Sequence, residues 1–299
     1  MRVGLVGVGR MGRPVCANLV RAGYVVTAGD ARAELAGMVA EWGARWGGAP
    51  AEVAAEAEVL ITMLPGTQEL REVMLVPGGA LAALPAVATW IDMTSTSPAV
   101  GKLLAEAAEA RGIGVLEAPV GGGIPAAEAG TLQMFVGGDA ALVERHQGLL
   151  EVLASPHKIA HMGGHGAGFL TKHLVNLLWF GQAIATTEAL LLARSAGIDL
   201  DTLHATLADS AAASEFIRHY LGSLLSGDYL ASFGLDRCCE ELSSLTALAR
   251  DKSVPFGLSA QVERIYRQAL ARFGPANGEL LPAAMLEEQA GIQLRHRPA

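Results

Sequence analysis

The strongest constraint on the fold is a change of pattern about halfway along the chain. Up to about residue 160, short β-rich runs alternate with helical stretches, and the runs predict strands at RVGLVGVG, YVVTAGD, VLITMLP, TWIDMTS, GVLEAPV and LQMFVGG. Such alternation builds a parallel sheet with helices on both faces. After Gly168 only Leu-, Ala- and Glu-rich segments of helical length follow. The sequence therefore predicts an α/β protein, with a doubly wound sheet domain over residues 1–163 and an all-α domain over residues 164–299.

Composition and charge limit the classes of partner. The chain has 299 residues, of which 51% are apolar and 17% charged, as expected for two compact domains. A formal charge of −8 provides no clustered basic face, so we expect no nucleic-acid partner. The three cysteines, Cys16, Cys238 and Cys239, form no disulfide framework and favour a reducing, cytoplasmic setting.

One apolar stretch, residues 174–193, is long enough to suggest a membrane span. It contains Asn176 and Glu188, which would be costly in lipid. We therefore expect no membrane partner and interpret the stretch as a helix buried between protein surfaces. Such a long apolar helix suggests a homodimer or homotetramer built around it.

A glycine-rich loop after the first predicted strand indicates the ligand. Gly7, Gly9 and Gly12 have the spacing G-x-G-x-x-G, in which the glycines permit a tight turn, close approach to a pyrophosphate and close helix–strand packing. The next strand ends at Asp30, 18 residues beyond Gly12, where a ribose-binding acid is expected. Asp30 favours NAD, because a carboxylate binds a ribose 2′-OH and repels a 2′-phosphate. Arg32 could instead accept that phosphate, so NADP is the alternative.

Five motifs in order resemble the β-hydroxyacid dehydrogenases, the family that includes 3-hydroxyisobutyrate dehydrogenase and tartronate semialdehyde reductase within the 6-phosphogluconate dehydrogenase superfamily. They are GLVGVGRMGRPVCANLVRAG, MLPGTQELREV, DMTSTSPA, EAPVGGGIPAAEAGTL and GAGFLTKHLVN. The resemblance implies a Rossmann domain followed by a helical substrate and dimerisation domain. It also implies NAD(P)-dependent interconversion of a small β-hydroxy acid, or a related alcohol, with its semialdehyde or ketone.

The resemblance also implies roles for particular residues. Lys172 would be the catalytic acid–base. Substrate would be bound by Ser95, Gly121, Gly122, Gly123, Asn176 and Glu240. Cofactor would be bound by Gly7, Val8, Gly9, Arg10, Met11, Gly12, Asp30, Arg32, Met63, Leu64, Pro65 and Ser95.

A lysine at this position also makes physical sense. Lys172 and Asn176 are four residues apart, so on a helix they share one face. Hydride transfer to a carbonyl requires a proton for the oxygen, which an ammonium group can donate. Its ordinary pKa of about 10.4 is too high for exchange at neutral pH, but apolar surroundings lower the pKa. His161, His165 and His173 lie close in sequence, but no carboxylate or cysteine accompanies them at ligand spacing, so we expect no metal.

Two departures from the family pattern concern the substrate. Gly121 replaces a serine, and Glu240 replaces a lysine expected near the cofactor and the substrate. Glu240 should therefore repel a second anionic group on the substrate. Alternatively, Glu240 faces away and Arg237, three residues earlier, supplies the missing charge.

Two rival activities remain open. One is C=N reduction by an imine reductase of the same architecture, although such enzymes usually carry aspartate or tyrosine at the position of Lys172. The other is a non-catalytic dinucleotide-binding module, which would be expected to lose the lysine.

Overall fold

The computed structural model describes residues 1–296, so the last three residues of the predicted second domain lie outside the described part. The chain divides into two compact units, Met1–Lys172 and a second unit that begins at His173. This division falls inside a helix, nine residues beyond the predicted domain boundary between residues 163 and 164. That boundary stays a prediction.

Within residues 1–296, the strands all belong to the first unit. They are β1 (Arg2–Val6), β2 (Val25–Gly29), β3 (Arg45–Trp46), β4 (Val59–Thr62), β5 (Thr89–Asp92), β6 (Gly114–Glu117), β7 (Val120–Gly121), β8 (Leu132–Gly138) and β9 (Ala154–Gly163).

They form one sheet in the order β3-β2-β1-β4-β5-β6-β8-β7, with β9 pairing with β8. The strands from β3 to β6 are parallel, and their order is that of a Rossmann sheet. β8 runs antiparallel to β6 and β7 and parallel to β9. The predicted doubly wound sheet is confirmed.

The helices of the first unit are α1 (Gly12–Arg21), α2 (Ala36–Glu41), α3 (Pro50–Ala54), α4 (Thr67–Leu75), α5 (Ala80–Ala83), α6 (Pro98–Glu109), α7 (Gly123–Ala129) and α8 (Ala140–Leu153). Alternate residues of the central strands face opposite layers. Ile61 and Ile91 belong to a core shared with α1 and α8, whereas Leu60 and Trp90 belong to one shared with α4 and α6. Burial on both faces explains why these strands are apolar runs without alternation.

The second unit contains most of α9 (Ala167–Ser195), then α10 (Leu200–Ala208), α11 (Leu221–Ser226), α12 (Leu235–Asp251), α13 (Gly257–Phe273) and α14 (Leu281–Ala290). Trp179 on α9 stacks edge-on against Phe216 and Tyr220, and Phe180 contacts Tyr266 on α13. No strand occurs in the described residues after β9, so the predicted all-α second half is confirmed.

The sequence did not reveal β3, β7 or β9. Two of these strands have only two residues each, and the exposure of β9 follows no alternating pattern. Strand formation in β9 depends on pairing with β8, a contact that no local sequence pattern predicts.

Helix α9 is long and apolar enough to cross a membrane by length and composition, and 44% of its most apolar window is buried within the protein. Its polar residues include the buried Thr186 and Thr187. Thr187 donates its hydroxyl hydrogen to the carbonyl oxygen of Ala183 on the same helix.

Candidate active site

The loop after β1 adopts a geometry that only glycine fits at two positions. Gly7 has a φ of 99°, and a Cβ there would lie 2.3 Å from the carbonyl oxygen of Met63. At Gly12 a Cβ would lie 1.9 Å from the carbonyl oxygen of Gly7. Gly9 is less enclosed, since the nearest atom to a Cβ there is Nη2 of Arg32 at 3.6 Å. The loop therefore leaves backbone accessible to a ligand at the start of α1.

Asp30 and Arg32 form an ion pair beside this loop. Asp30 accepts hydrogen bonds from the backbone N–H of Val8 at 3.0 Å and from Nε and Nη2 of Arg32 at 2.9 and 3.1 Å. Burial acts to raise the pKa of Asp30, but these hydrogen bonds outweigh it and lower the pKa below its ordinary value. Sequence reasoning treated the two residues as alternatives, whereas in the fold the arginine is oriented by the aspartate.

The predicted cofactor-lining residues of the next two loops are joined by residues that sequence reasoning did not single out. The backbone N–H of Met63 donates to the carbonyl oxygen of Val6, and that of Leu64 donates to Oγ1 of Thr94 at 3.2 Å. The backbone N–H of Thr94 donates in turn to Asp92 at 3.0 Å. Ser95 directly follows Thr94, so Asp92 and Thr94 position both loops.

The remaining predicted cofactor residues lie at the surface or close to it. Arg10 and Pro65 are exposed. Met11 is half-buried and packs against the core that contains α1.

Two buried carboxyl groups stand side by side at the ends of β5 and β6. Asp92 and Glu117 are register partners, and each is 1% exposed. Burial raises the pKa of Asp92 to about 7, although Thr94 and Thr62 donate hydrogen bonds to it. Burial also raises the pKa of Glu117, against hydrogen bonds from the backbone of Gly166 and its neighbours. Buried charged forms are costly, which is why both groups retain protons more strongly than in water.

The glycine stretch that follows β6 contains two different kinds of glycine. Gly122 and Gly123 have φ values of 103° and 65°, which disfavour any other residue. Gly121 lacks a positive φ, and a Cβ there would lie 3.4 Å from Oε1 of Gln133. The backbone therefore does not require glycine at 121, and the missing serine hydroxyl is a chemical difference that the fold does not impose.

Lys172 and Asn176 lie one turn apart on α9, and both are half-buried. Within the second unit, Nδ2 of Asn176 donates to Oε2 of Glu241 at 2.6 Å. Glu241 is 5% exposed, and its Oε1 lies 4.0 Å from Nε2 of His173. Asn176 is thus joined to Glu241, which sequence reasoning did not assign to the site.

Glu240, which sequence reasoning did assign, is placed differently. Its half-exposed carboxylate pairs with Nη1 of Arg237 at 3.3 Å. Arg237 thus lies beside Glu240 and pairs with it. Whether Glu240 repels an anionic group, or Arg237 supplies the missing charge, stays a prediction.

Two of the three histidines that the sequence analysis rejected as metal ligands make hydrogen-bond contacts in the first unit. His161 contacts the carbonyl oxygen of Gly138, and His165 contacts Oε1 of Glu109 at 2.8 Å. Across residues 1–296, no group of three or more His, Cys, Asp or Glu side chains is arranged to hold a metal ion.

Comparison with known proteins assigns the family. A family model of the NAD binding domain of 6-phosphogluconate dehydrogenase matches residues 2–164, more than half of the chain. A model described as NAD-binding of NADP-dependent 3-hydroxyisobutyrate dehydrogenase matches residues 166–284. The chain belongs to the β-hydroxyacid dehydrogenase family.

Relatives of this β-hydroxyacid dehydrogenase match nearly end to end. The 2-(hydroxymethyl)glutarate dehydrogenase of Eubacterium barkeri is 32% identical over 89% of this chain and 88% of its own. The 3-sulfolactaldehyde reductase of Escherichia coli K12 is 30% identical over 90% of each chain. The structure of Mycobacterium tuberculosis 3-hydroxyisobutyrate dehydrogenase with L-serine superimposes with a TM-score of 0.83 at 28% identity, covering 95% of this chain and 98% of the other.

Family membership confirms the predicted reaction class and cofactor class. This β-hydroxyacid dehydrogenase is an NAD(P)-dependent oxidoreductase acting on CH–OH groups. The residues that sequence reasoning missed did leave a signal. Asp92 and Glu117 are acidic residues that end otherwise apolar buried strands, and both lie inside the motifs that carry the resemblance.

Proposed function

We propose that the protein transfers hydride between NAD(P) and a small β-hydroxy acid or related alcohol, with Lys172 as the proton donor and acceptor. The observation that carries this proposal is the position of Lys172. It lies half-buried in the first turns of an apolar helix, in the same unit as the dinucleotide loop. A half-buried ammonium on an apolar helix is suited to proton exchange and adds little to solubility.

The residues around β1 and β2 fit a dinucleotide. Gly7 and Gly12 keep the turn tight, and Gly9 and the start of α1 offer backbone N–H groups to a pyrophosphate. Asp30 directly follows β2, where a ribose hydroxyl would be bound. The bound cofactor supplies or accepts the hydride. The ionised state of Asp30 favours NAD over NADP. The other predicted lining residues at positions 8, 10, 11, 32, 63–65 and 95 belong to the same proposal.

The protein's own part in the reaction is to move a proton and to orient the substrate. In reduction, Lys172 donates a proton to the carbonyl oxygen, and in oxidation the neutral amine accepts the hydroxyl proton. Backbone N–H groups at Gly122 and Gly123 bind the substrate carboxylate, while Ser95 and Asn176 orient the remainder. The hydrogen bond from Asn176 to Glu241 fixes the asparagine side chain in one rotamer.

The range of substrates depends on Gly121 and Glu240. Gly121 leaves space where the family has a hydroxyl, which favours a bulkier group on the substrate. The pairing of Glu240 with Arg237 offsets its negative charge locally. We therefore expect Glu240 not to exclude a second anionic group by itself, and relatives named for a glutarate and for a sulfolactaldehyde act on anions.

We also infer a homodimer, or a homotetramer built from it, in the cytoplasm. Leu178, Ala185 and Leu192 lie seven residues apart on α9 and are all exposed, as are Val175 and Ala189 on the same helix. Apolar residues at this spacing form a seam that a second helix can cover.

Replacing Lys172 tests the proposed chemistry. Lys172→Ala should lower kcat by at least about 100-fold, the usual effect of losing a general acid–base, while NADH binding survives. The measurement is steady-state turnover with a panel of semialdehydes, ketones and cyclic imines, together with NADH titration by fluorescence.

Lys158→Ala is the matched control, because Lys158 is one of only four lysines and is exposed on β9. If Lys172→Ala keeps an activity within a few-fold of wild type, Lys172 is not the proton donor and acceptor. Turnover of the cyclic imines alone would identify an imine reductase, and binding without turnover of any compound would indicate a non-catalytic module.

A further inference from the structure

The start of α9 is held by a carboxylate from a distant strand. Glu117, the last residue of β6, accepts hydrogen bonds from the backbone N–H groups of Gly166, Gly168 and Phe169. The last two of these bonds are 3.1 and 3.4 Å long, and Glu117 is 1% exposed. His165 approaches the same carboxylate at 3.9 Å through Nδ1.

This arrangement differs from ordinary capping. The first N–H groups of a helix have no acceptor within the helix, and a Ser, Thr, Asp or Asn just before the helix usually accepts from them. At α9 the residue before the helix is Gly166, which has no side chain to offer. The acceptor comes from the sheet instead, 49 residues earlier in the chain.

Two glycines allow the helix to approach the strand ends so closely. A Cβ at Gly168 would lie 2.5 Å from the carbonyl oxygen of Phe135, and a Cβ at Gly137 would lie 2.5 Å from Oε2 of Glu117. Phe169 is 1% exposed and fills the space above Gly101, where a Cβ would lie 2.4 Å from its ring. The helix start is therefore in a defined position against the sheet.

The anchored segment carries the proposed catalytic residue. Lys172 follows Phe169 by three residues on the same helix, and Gly122 and Gly123 follow Glu117 after a few residues of β6–β7 chain. We propose that Glu117 is a positioning residue: it holds α9 so that Lys172 is aligned with the strand-end segment that binds the substrate carboxylate. This inference rests on the proposed role of Lys172.

The expected effect of losing the anchor is on kcat. General acid–base catalysis requires the proton donor at hydrogen-bond distance from the reacting oxygen, and a displacement of about 1 Å costs on the order of 100-fold in rate. The backbone donors to Glu117 belong to the start of α9 and not to the dinucleotide loop, so cofactor binding should be preserved. A residue that only stabilised the fold would affect both.

The test compares Glu117→Gln with Glu117→Asp. Glutamine has a similar shape but presents an amide NH2 toward N–H donors, so kcat should fall by about tenfold or more while KM and the NADH Kd stay within a few-fold. Aspartate keeps the charge with a shorter side chain and should recover part of kcat. Asp139→Ala is the control, because Asp139 caps α8 through the N–H groups of Ala141 and Leu142 and lies outside the proposed site. It should lower thermal stability without lowering kcat.

A second readout does not depend on turnover. The chain has four lysines, Lys102, Lys158, Lys172 and Lys252, so acetylation by trace acetic anhydride can be measured at each by mass spectrometry. Glu117→Gln should change the labelling rate of Lys172 relative to the other three lysines, and Asp139→Ala should not.

Failure of the two proposals can be told apart. If Lys172→Ala keeps its activity but Glu117→Gln alters the labelling of Lys172, the proton-transfer role of Lys172 is wrong, and the positioning of α9 by Glu117 is supported. The positioning role is overturned if the relative labelling of Lys172 is unchanged in Glu117→Gln. It is also overturned if kcat stays within a few-fold of wild type in an enzyme that needs Lys172, or if NADH binding is lost together with kcat.

Discussion

At the scale of single residues, the pair formed by Asp30 and Arg32 determines whether the protein prefers NADH, with its ribose 2′-hydroxyl, or NADPH, with its 2′-phosphate. Wild type should prefer NADH, and Asp30→Ala should raise the NADPH-to-NADH ratio of kcat/KM by about tenfold or more, which needs only ~1.4 kcal/mol. The reason is that the variant removes a repulsive carboxylate and releases Arg32, which is now held at 2.9 Å by Asp30. The measurement is kcat/KM with each cofactor, with Arg32→Ala as the companion variant that should weaken NADPH use. A wild type that clearly prefers NADPH would contradict the prediction.

At the scale of elements, the ends of β5 and β6 place Asp92 beside Glu117 in the core, and this predicts a pH dependence of stability. The pKa of Asp92 is raised from 3.8 to about 7, so the folded protein keeps a proton that the unfolded chain releases. Stability contributed by Asp92 is therefore complete below pH 4 and is lost as the pH rises toward 7. The loss is up to roughly 4 kcal/mol, at about 1.4 kcal/mol per pKa unit. The raised pKa of Glu117 acts in the same direction.

Asp92→Asn should remove the Asp92 part of this dependence. Asparagine can keep the bonds donated by Thr62 and Thr94 to Oδ1 but does not titrate. Urea denaturation at pH 5 and pH 8 should show a smaller loss of unfolding free energy in the variant than in wild type. Asp251→Asn, which removes an exposed carboxylate on α12, serves as the control. If wild type and Asp92→Asn lose the same unfolding free energy between pH 5 and pH 8, Asp92 does not hold a proton in the folded protein.

At the scale of the whole molecule, the exposed apolar seam of α9 predicts self-association. Leu178 and Leu192 are 65% and 71% exposed, and a dimer that covers this seam would remove both from water. The double variant Leu178→Glu with Leu192→Glu should sediment as a monomer while still binding NADH. Leu258→Glu, at an 84% exposed leucine on α13, is the matched control and should leave the mass unchanged. A monomeric wild type, or a double variant with unchanged mass, would rule out this interface.

Much of the protein is determined by local sequence. The alternation of strands and helices, the glycines at 7, 9 and 12 and the acid that follows β2 each act within a few residues. Their pattern therefore predicts the doubly wound sheet, the helical second half and the dinucleotide loop. The family motifs extend this to the reaction class. These features are predictable because turn geometry, strand burial and helix periodicity depend on neighbouring residues.

Tertiary structure decided the contacts between residues far apart in sequence. The hydrogen bonds from the α9 start to Glu117, the bond from Asn176 to Glu241 and the pairing of β9 with β8 each join residues whose separation no spacing rule covers. The ion pair of Glu240 with Arg237 joins residues three apart on α12, but the sequence offered two roles for these side chains and did not predict that they pair. A buried polar group must find a partner wherever the folded chain brings one near, and that choice is made only when the elements pack.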